Sequence, residues 1–117
     1  MKDVVIVSAC RTPIGAFLKS LASLRGPELG KIVMKEAIKR AQIDPKDIGD
    51  VRFGCCLEDY DALNIARISA LLAEVPETVP AITINRVCTS SMDAVMSGAM
   101  MIQNGFIDVA LCGGVDQ

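Results

Sequence analysis

The fold and the chemistry of this chain are both decided at residues 81–92, which read AITINRVCTSSM. The run from Ala81 to Asn85 (residues 81–85) is apolar and β-branched, so it predicts a strand. A brief turn leads to Cys88, and the small polar residues after it predict the first turn of an apolar helix. Free N–H groups at the start of a helix favour an anion, so this placement stabilises the nucleophilic thiolate.

Cys88 admits a second interpretation, because free cysteines are most often buried structural residues. The turn between strand and helix favours the functional one, since the small residues beyond Cys88 let a substrate carbonyl approach backbone amides that bind an oxyanion. A nucleophilic cysteine also needs a base, and the chain contains no histidine. Asp93 lies more than one helical turn away, and Glu58, Asp59 and Asp61 predict a solvated loop. Residues 1–117 therefore contain a nucleophile without its base.

Composition excludes several functional classes. The 117 residues carry a net charge of −2 and a sequence pI near 5.0, so there is no basic field for nucleic acid. Five cysteines are an odd number and no secretory signal is present, which favours reduced thiols and a cytoplasmic location. Apolar runs are too short and interrupted to predict a membrane span. Four cysteines are expected in the core, with no metal site: Cys10, Cys55, Cys56 and Cys112.

The hydrophobic pattern predicts alternating strands and helices, hence a layered α/β fold. The helix after Cys88 is apolar nearly all round, which predicts burial between two layers, although no element of the chain remains to cover its second side. The helix opened by Gly26 and Pro27 is expected to bury Leu29, Ile32, Val33, Ala37 and Ala41. The predicted elements are strand 4–8, helix from 26, capped turn 44–47, strand 51–57, helix 64–72, strand 81–85, helix 88–105 and strand 107–112.

Four stretches resemble one known family over essentially the whole chain. They are residues 11–15 (RTPIG), 64–67 (NIAR), 79–88 (VPAITINRVC) and 112–114 (CGG). Together they are similar to the amino-terminal part of thiolases, the acetyl-CoA acetyltransferase and 3-ketoacyl-CoA thiolase family. The resemblance implies a layered thiolase-like α/β fold, namely the amino-terminal part of the first βαβ-type repeat, with a mixed or parallel sheet and a buried helix after the nucleophile.

The resemblance also implies a function. Cys88 would be the acyl-thioester nucleophile, and its backbone N–H would contribute to an oxyanion hole. Coenzyme A and acetyl-CoA would be substrates in fatty acid metabolism, with no bound cofactor. The full-length protein would form a homodimer or homotetramer, with the strand from Ala81 to Asn85 at the dimer interface.

Length and several positions depart from the family pattern. A thiolase is far longer, so residues 1–117 are interpreted as a partial N-terminal domain that lacks the second repeat, the CoA-binding loop region, the activating histidine and the second cysteine. We expect this fragment alone to be inactive. Substitutions relative to the usual family residues stand at Ile65, Thr89, Ser91, Asp93, Val115 and Asp116.

Two other functional interpretations stay open. The chain could be a non-catalytic small subunit or interaction module of thiolase descent that docks on a partner chain, which would suit its uncovered apolar helix. A ketoacyl synthase acting on carrier-protein substrates fits less well, because the motifs at residues 11–15 and 85–88 are thiolase-like.

Overall fold

The computed structural model describes all 117 residues and has three helices and three strands. The elements are α1 (Gly26–Ala41), a 3-10 turn (Pro45–Asp47), β1 (Asp50–Gly54), α2 (Ile65–Leu72), β2 (Ala81–Ile84), α3 (Ser90–Gln103) and β3 (Ala110–Gly114). Strands and helices alternate from β1 onward, as the sequence pattern predicts. β1 and β3 are shifted from their predicted bounds, because β1 ends at Gly54 and β3 begins only at Ala110.

The three strands form one parallel sheet in the order β2-β1-β3. Val51 on the central strand lies opposite Ala81 of β2 and Leu111 of β3. Parallel neighbours need crossover connections, and α2 and α3 supply them. The carboxyl ends of all three strands therefore lie at one edge of the sheet, where β2 runs into the turn that carries Cys88.

Helices cover both faces of the sheet. Val51 and Phe53 face α1 and α2, whereas Arg52 between them faces α3 and donates a hydrogen bond to Ser97 at 2.9 Å. This alternation follows from the period of two along a strand. The core lies between β1 and the α1–α2 layer: Met34, Ile38, Ile48, Val51, Phe53, Ala66, Ala70, Ala73, Val75 and Val79.

Helix ends follow the capping signals in the sequence. The Glu28 carboxylate accepts a hydrogen bond from the backbone N–H of Arg25 at the start of α1. Asp44 accepts from Lys46 N at 3.0 Å and caps the 3-10 turn as predicted, and Asn64 accepts from Arg67 N at the start of α2.

The buried faces of α1 and α2 differ from those predicted. In α1, Met34 and Ile38 are buried while Ile32 is 46% exposed. The reason is a close helix crossing, since a Cβ on Gly30 would lie 2.3 Å from Ser69 Oγ in α2. The helical spacing of residues 64–72 predicts Ile65, Ile68 or Ser69, and Leu72 on the inner face of α2. Ile65 and Ser69 are buried, whereas Leu72 is exposed, because the close contact at Gly30 and Ser69 fixes which faces of the two helices meet.

The predicted first strand at residues 4–8 is wrong. Residues 1–15 make no backbone–backbone hydrogen bond, and Val5, Ile6 and Val7 are 67–79% exposed. Apolar β-branched residues become a strand only when a neighbouring strand satisfies their backbone groups. The segment instead flanks an apolar cleft of about 860 Å³, which α1, α3 and β3 line on the other side.

The helix that follows the turn is buried along one stripe only. Ser90, Ala94 and Gly98 of α3 are buried, whereas Met92 and Met96 are exposed. The predicted burial of this helix between two layers is found on the sheet side only, and no element of this chain covers its second side. None of the three helices is both long and apolar enough to cross a membrane.

Candidate active site

Cys88 lies in the turn that joins β2 to α3, two residues before the helix begins. It is a free thiol, and it is the only exposed cysteine of the five. The apolar strand before it and the small residues after it place it where the sequence pattern predicts. This position leaves the thiol open to a substrate that approaches from solvent.

The residue before Cys88 has an unusual backbone. Val87 has φ of 54°, in the left-handed region, which β-branched residues rarely adopt. Such a conformation costs about 1–3 kcal/mol and persists only where surrounding contacts hold it. The Val87 side chain is 61% exposed, so its own burial contributes little toward that cost.

Two side chains hold this turn. Asn85 Oδ1 accepts a hydrogen bond from the backbone N–H of Val87 at 2.9 Å. The Ser90 hydroxyl accepts from Arg86 N at 2.9 Å and donates to Val87 O at 2.6 Å. Ser90 is only 4% exposed, so water does not replace these bonds. The turn is therefore fixed from both sides of Val87.

The backbone N–H of Cys88 donates no hydrogen bond within the protein. The next two amides do, because Thr89 N donates to Arg86 O at 3.2 Å and Ser90 N donates to Val87 O at 3.3 Å. The backbone amides of the small residues after Cys88 are predicted to bind an oxyanion. The amides of Thr89 and Ser90, however, already donate hydrogen bonds within the turn. The N–H of Cys88, in the same residue as the exposed thiol, donates no such bond.

Close packing against two glycines sets the position of the helix start. A Cβ on Gly54, at the end of β1, would lie 2.6 Å from the backbone nitrogen of Ser91. A Cβ on Gly114, at the end of β3, would lie 2.9 Å from Gly54 O and would overlap the Ser91 hydroxyl. Only glycine at these two positions lets the start of α3 approach the carboxyl edge of the sheet so closely.

Asp116 binds the loop that follows β1. Its carboxylate accepts hydrogen bonds from Cys56 N and Leu57 N, both at 2.9 Å, and from Cys55 Sγ at 3.5 Å. The carbonyl of Cys56 in turn accepts from Asn85 Nδ2 at 3.1 Å. Hydrogen bonds thus connect the end of β3 through this loop to the Cys88 turn.

Of the four cysteines expected in the core, only Cys55 is buried, whereas Cys10, Cys56 and Cys112 are partly exposed. Burial, together with the nearby Asp116 carboxylate, raises the pKa of Cys55 to about 12, and burial raises that of Cys112 to about 11. Cys10 donates to the carbonyl of Val33 at 3.3 Å. Cys55 and Cys56 follow β1 rather than lying in it, so the predicted strand placement of this pair is wrong.

No acidic side chain accepts a hydrogen bond from Cys88. Asp93 forms an ion pair with Arg86, across the turn from the thiol. Asp59 and Asp61 lie in a loop as predicted and pair with Arg25, whose guanidinium lowers the pKa of the Asp61 carboxyl.

Three side chains have roles at this site that the sequence pattern does not predict: Asn85, Ser90 and Asp116. Asparagine two residues before a turn amide is a recognisable signal, since its side chain often bonds the backbone there. The roles of Ser90 and Asp116 have no comparable local signal.

The family described as "Thiolase, N-terminal domain" matches residues 4–117. An acetyl-CoA acetyltransferase of Cupriavidus necator is 45% identical over 114 residues, which cover 97% of this chain and 29% of that protein.

Two solved structures share the fold. The acetyl-CoA acetyltransferase of Bacillus anthracis superposes with a TM-score of 0.93 at 42% identity, covering 97% of this chain and 29% of its own. The Acat5 thiolase of Ascaris suum, in complex with coenzyme A, superposes with a TM-score of 0.84 at 42% identity, covering 91% and 28%. The predicted layered α/β fold is confirmed, and the chain spans less than a third of the length of these proteins.

Proposed function

Because this chain belongs to the thiolase family, we propose that Cys88 is the acyl-accepting nucleophile of an acetyl-CoA acetyltransferase and that residues 1–117 are part of its N-terminal domain. The observation that carries this proposal is the exposed Cys88 thiol beside its own unbonded N–H, at the start of α3. Acyl-CoA substrates are supported by the names of the relatives and by the coenzyme A complex of one of them.

The proposed reaction begins with attack of the Cys88 thiolate on the thioester carbonyl of acetyl-CoA. A new C–S bond forms, and the carbonyl oxygen becomes an anion that accepts a hydrogen bond from the Cys88 N–H. Collapse of this intermediate breaks the C–S bond to coenzyme A, whose thiolate leaves and takes up a proton. In synthesis the acetyl group then passes to the carbanion of a second acetyl-CoA, so that a C–C bond forms while the Cys88 thioester breaks and the thiolate is regenerated. In degradation Cys88 is instead acylated by a 3-ketoacyl-CoA, which releases the acetyl-CoA carbanion to take up a proton, and the acyl group then passes to the thiolate of coenzyme A.

The proton of the Cys88 thiol requires an acceptor that residues 1–117 do not supply. The chain contains no histidine, and Asp93 is engaged with Arg86. We therefore place the base outside these residues and expect the fragment alone to turn over little or no substrate, since losing one member of a nucleophile–base pair removes most of the rate.

Mass spectrometry after incubation with acetyl-CoA tests the proposed nucleophile in the protein that carries this sequence. Trypsin is expected to cut after Arg86, and no Lys or Arg follows, so one peptide contains both Cys88 and Cys112. Fragment ions must therefore separate the two thiols. We expect one acetyl group on Cys88, none on Cys112, and none on either in Cys88→Ser.

The matched control is Cys112→Ala, which leaves the reacting turn intact and should not change the labelling of Cys88. Acetylation of Cys112 in place of Cys88, or equal labelling in Cys88→Ser, would show that Cys88 is not the acyl acceptor.

The assembly that we propose uses the free edge of the sheet. β2 is an outer strand in the order β2-β1-β3, and Ile82 on it is 43% exposed. An exposed strand edge with apolar side chains favours pairing with a second copy, which supports a homodimer or homotetramer with residues 81–85 at the interface. Light scattering on wild type and Ile82→Lys tests it, and an unchanged mass would contradict it.

We also propose a cytoplasmic location, in keeping with five free cysteines.

A second candidate function rests on the uncovered side of α3. Met92 is 64% exposed, Met96 59% and Met100 53%, so three methionines on one helix are open to solvent. Such an apolar surface supports a non-catalytic subunit that docks on a partner chain. Absence of acetylation at Cys88, together with copurification of a stoichiometric second chain, would favour this candidate.

A further inference from the structure

We propose that Asn85 and Ser90 are positioning residues for acyl transfer, because their side chains hold the peptide between Val87 and Cys88 in the orientation that presents the Cys88 N–H. This inference rests on the proposed role of Cys88 as the acyl acceptor. Neither side chain touches the reacting atoms.

The geometry of one peptide plane carries the inference. The carbonyl of Val87 and the N–H of Cys88 belong to the same trans peptide and point in opposite directions. The Ser90 hydroxyl donates to that carbonyl at 2.6 Å. Fixing the carbonyl therefore fixes the direction of the N–H on the other side of the plane.

Asn85 holds the other side of Val87. Its Oδ1 accepts from Val87 N at 2.9 Å, and its Nδ2 donates to Cys56 O at 3.1 Å. The second bond anchors the turn to the loop after β1, which Asp116 holds through two backbone amides. Val87 is thus held at φ of 54° by hydrogen bonds that lead to the loop after β1, since its own side chain is mostly exposed.

Loss of the Asn85 and Ser90 side chains should change the direction of the Cys88 N–H. Without the two side chains, only the backbone N–H of Ser90, at 3.3 Å, still binds the Val87 carbonyl. We expect this β-branched residue then to relax to negative φ, which turns the following peptide. The Cys88 thiol remains exposed in that state, but its N–H no longer points where the hydrogen-bonded turn directs it. Reactions that develop an oxyanion should therefore slow, while reactions that need only the thiol should not.

The first experiment measures coupling between Ser90 and Val87 by urea unfolding of wild type, Ser90→Ala, Val87→Gly and the double variant. Glycine adopts positive φ without strain, so it removes the need for the clamp. We expect the stability lost in Ser90→Ala to be at least halved in the Val87→Gly background. Additive losses would overturn the inference.

The second experiment compares two reactions of Cys88 in the same variants, namely acetylation by acetyl-CoA and alkylation by iodoacetamide. We expect Ser90→Ala and Asn85→Ala to slow acetylation about tenfold and alkylation less than about twofold. Val87→Gly should restore most of the acetylation rate to Ser90→Ala, and Asn85→Asp, which keeps the acceptor for Val87 N, should retain more than Asn85→Ala.

Ser23→Ala is the matched control, since it is the same substitution at an exposed serine outside the Cys88 turn whose side chain makes no hydrogen bond. It should alter neither rate by more than about twofold. Equal slowing of acetylation and alkylation in Ser90→Ala would overturn the inference, because general loosening of the structure affects both. If wild type is alkylated but never acetylated, the proposed function falls, and the coupling measurement alone then decides whether the clamp holds Val87.

Discussion

The carboxylate of Asp116 at the end of β3 accepts a hydrogen bond from the backbone N–H of Cys56 at 2.9 Å, across 60 positions of sequence. This bond ties an edge strand of the sheet to the loop that supports the Cys88 turn, because Cys56 O accepts from Asn85. An acidic residue outside the turn thus contributes to the shape of the candidate site.

Replacing Asp116 should destabilise the chain and change the ionisation of Cys55. Asp116→Ala leaves two loop amides without their acceptor and should lower the free energy of unfolding by about 1–3 kcal/mol, measured by urea denaturation. Asp116→Asn, which keeps one acceptor oxygen, should lose less of the free energy of unfolding.

Both variants should lower the pKa of Cys55 from about 12, since the carboxylate is, after burial, one cause of its elevation. Asp108→Asn, an exposed carboxylate, is the control and should leave the thiolate absorbance titration unchanged.

Stability should fall at alkaline pH because two thiols stay protonated in the folded chain. The ordinary thiol pKa of 9.0 is raised to about 11 in Cys112 and about 12 in Cys55. Above pH 9 the unfolded chain releases protons that the folded chain retains. The free energy of unfolding should therefore decrease between pH 9 and pH 11, by up to about 1.4 kcal/mol per pH unit for each thiol. The double variant Cys55→Ala/Cys112→Ala should show a shallower decrease, and an identical slope would contradict the assignment.

Thiol labelling at pH 8 should be selective. Cys88 is exposed, whereas Cys55 and Cys112 are protonated at this pH and shielded. We expect iodoacetamide to modify Cys88 at least about tenfold faster than either of them. Fragment ions of the tryptic peptides, which separate Cys88 from Cys112 and Cys55 from Cys56, give the rates of these thiols and of Cys10 over time, with urea-unfolded protein as the reference for equal access. If Cys88 reacts no faster than Cys112 or Cys10, it is not an activated nucleophile.

Gly54→Ala should disturb the helix start by a steric clash. The added methyl would lie 2.6 Å from Ser91 N, a backbone atom that cannot rotate away. We expect a loss of about 1–3 kcal/mol in unfolding free energy and a slower acetylation of Cys88. Gly105→Ala is the matched comparison, since its methyl meets nothing within 4 Å and only its φ of 79° is unfavourable. It should cost about 1 kcal/mol and leave acetylation unchanged.

The intact mass of the protein from its native source should be several times 12.4 kDa, because the chain spans 29% of the length of the relative with which it shares 45% identity. Intact-mass spectrometry of the purified protein under denaturing conditions measures the mass of the single chain, because oligomers dissociate. A mass near 12.4 kDa would favour the docking subunit over an enzyme that contains its own base.

The sequence by itself determined the local features of this protein. The spacing of hydrophobic residues and the capping residues predicted three features: the α/β alternation from β1 onward, the capped turn at Asp44 and the position of Cys88 between β2 and α3. These features depend on residues within one or two turns of each other. Tertiary structure alone decided the rest. Residues 4–8 have strand propensity but no partner strand. The crossing at Gly30 and Ser69 set the buried faces of α1 and α2. Asp116 reaches the Cys56 loop only because parallel strands end at one edge of the sheet. Pairing and approach between distant segments depend on how the elements pack, which no local pattern encodes.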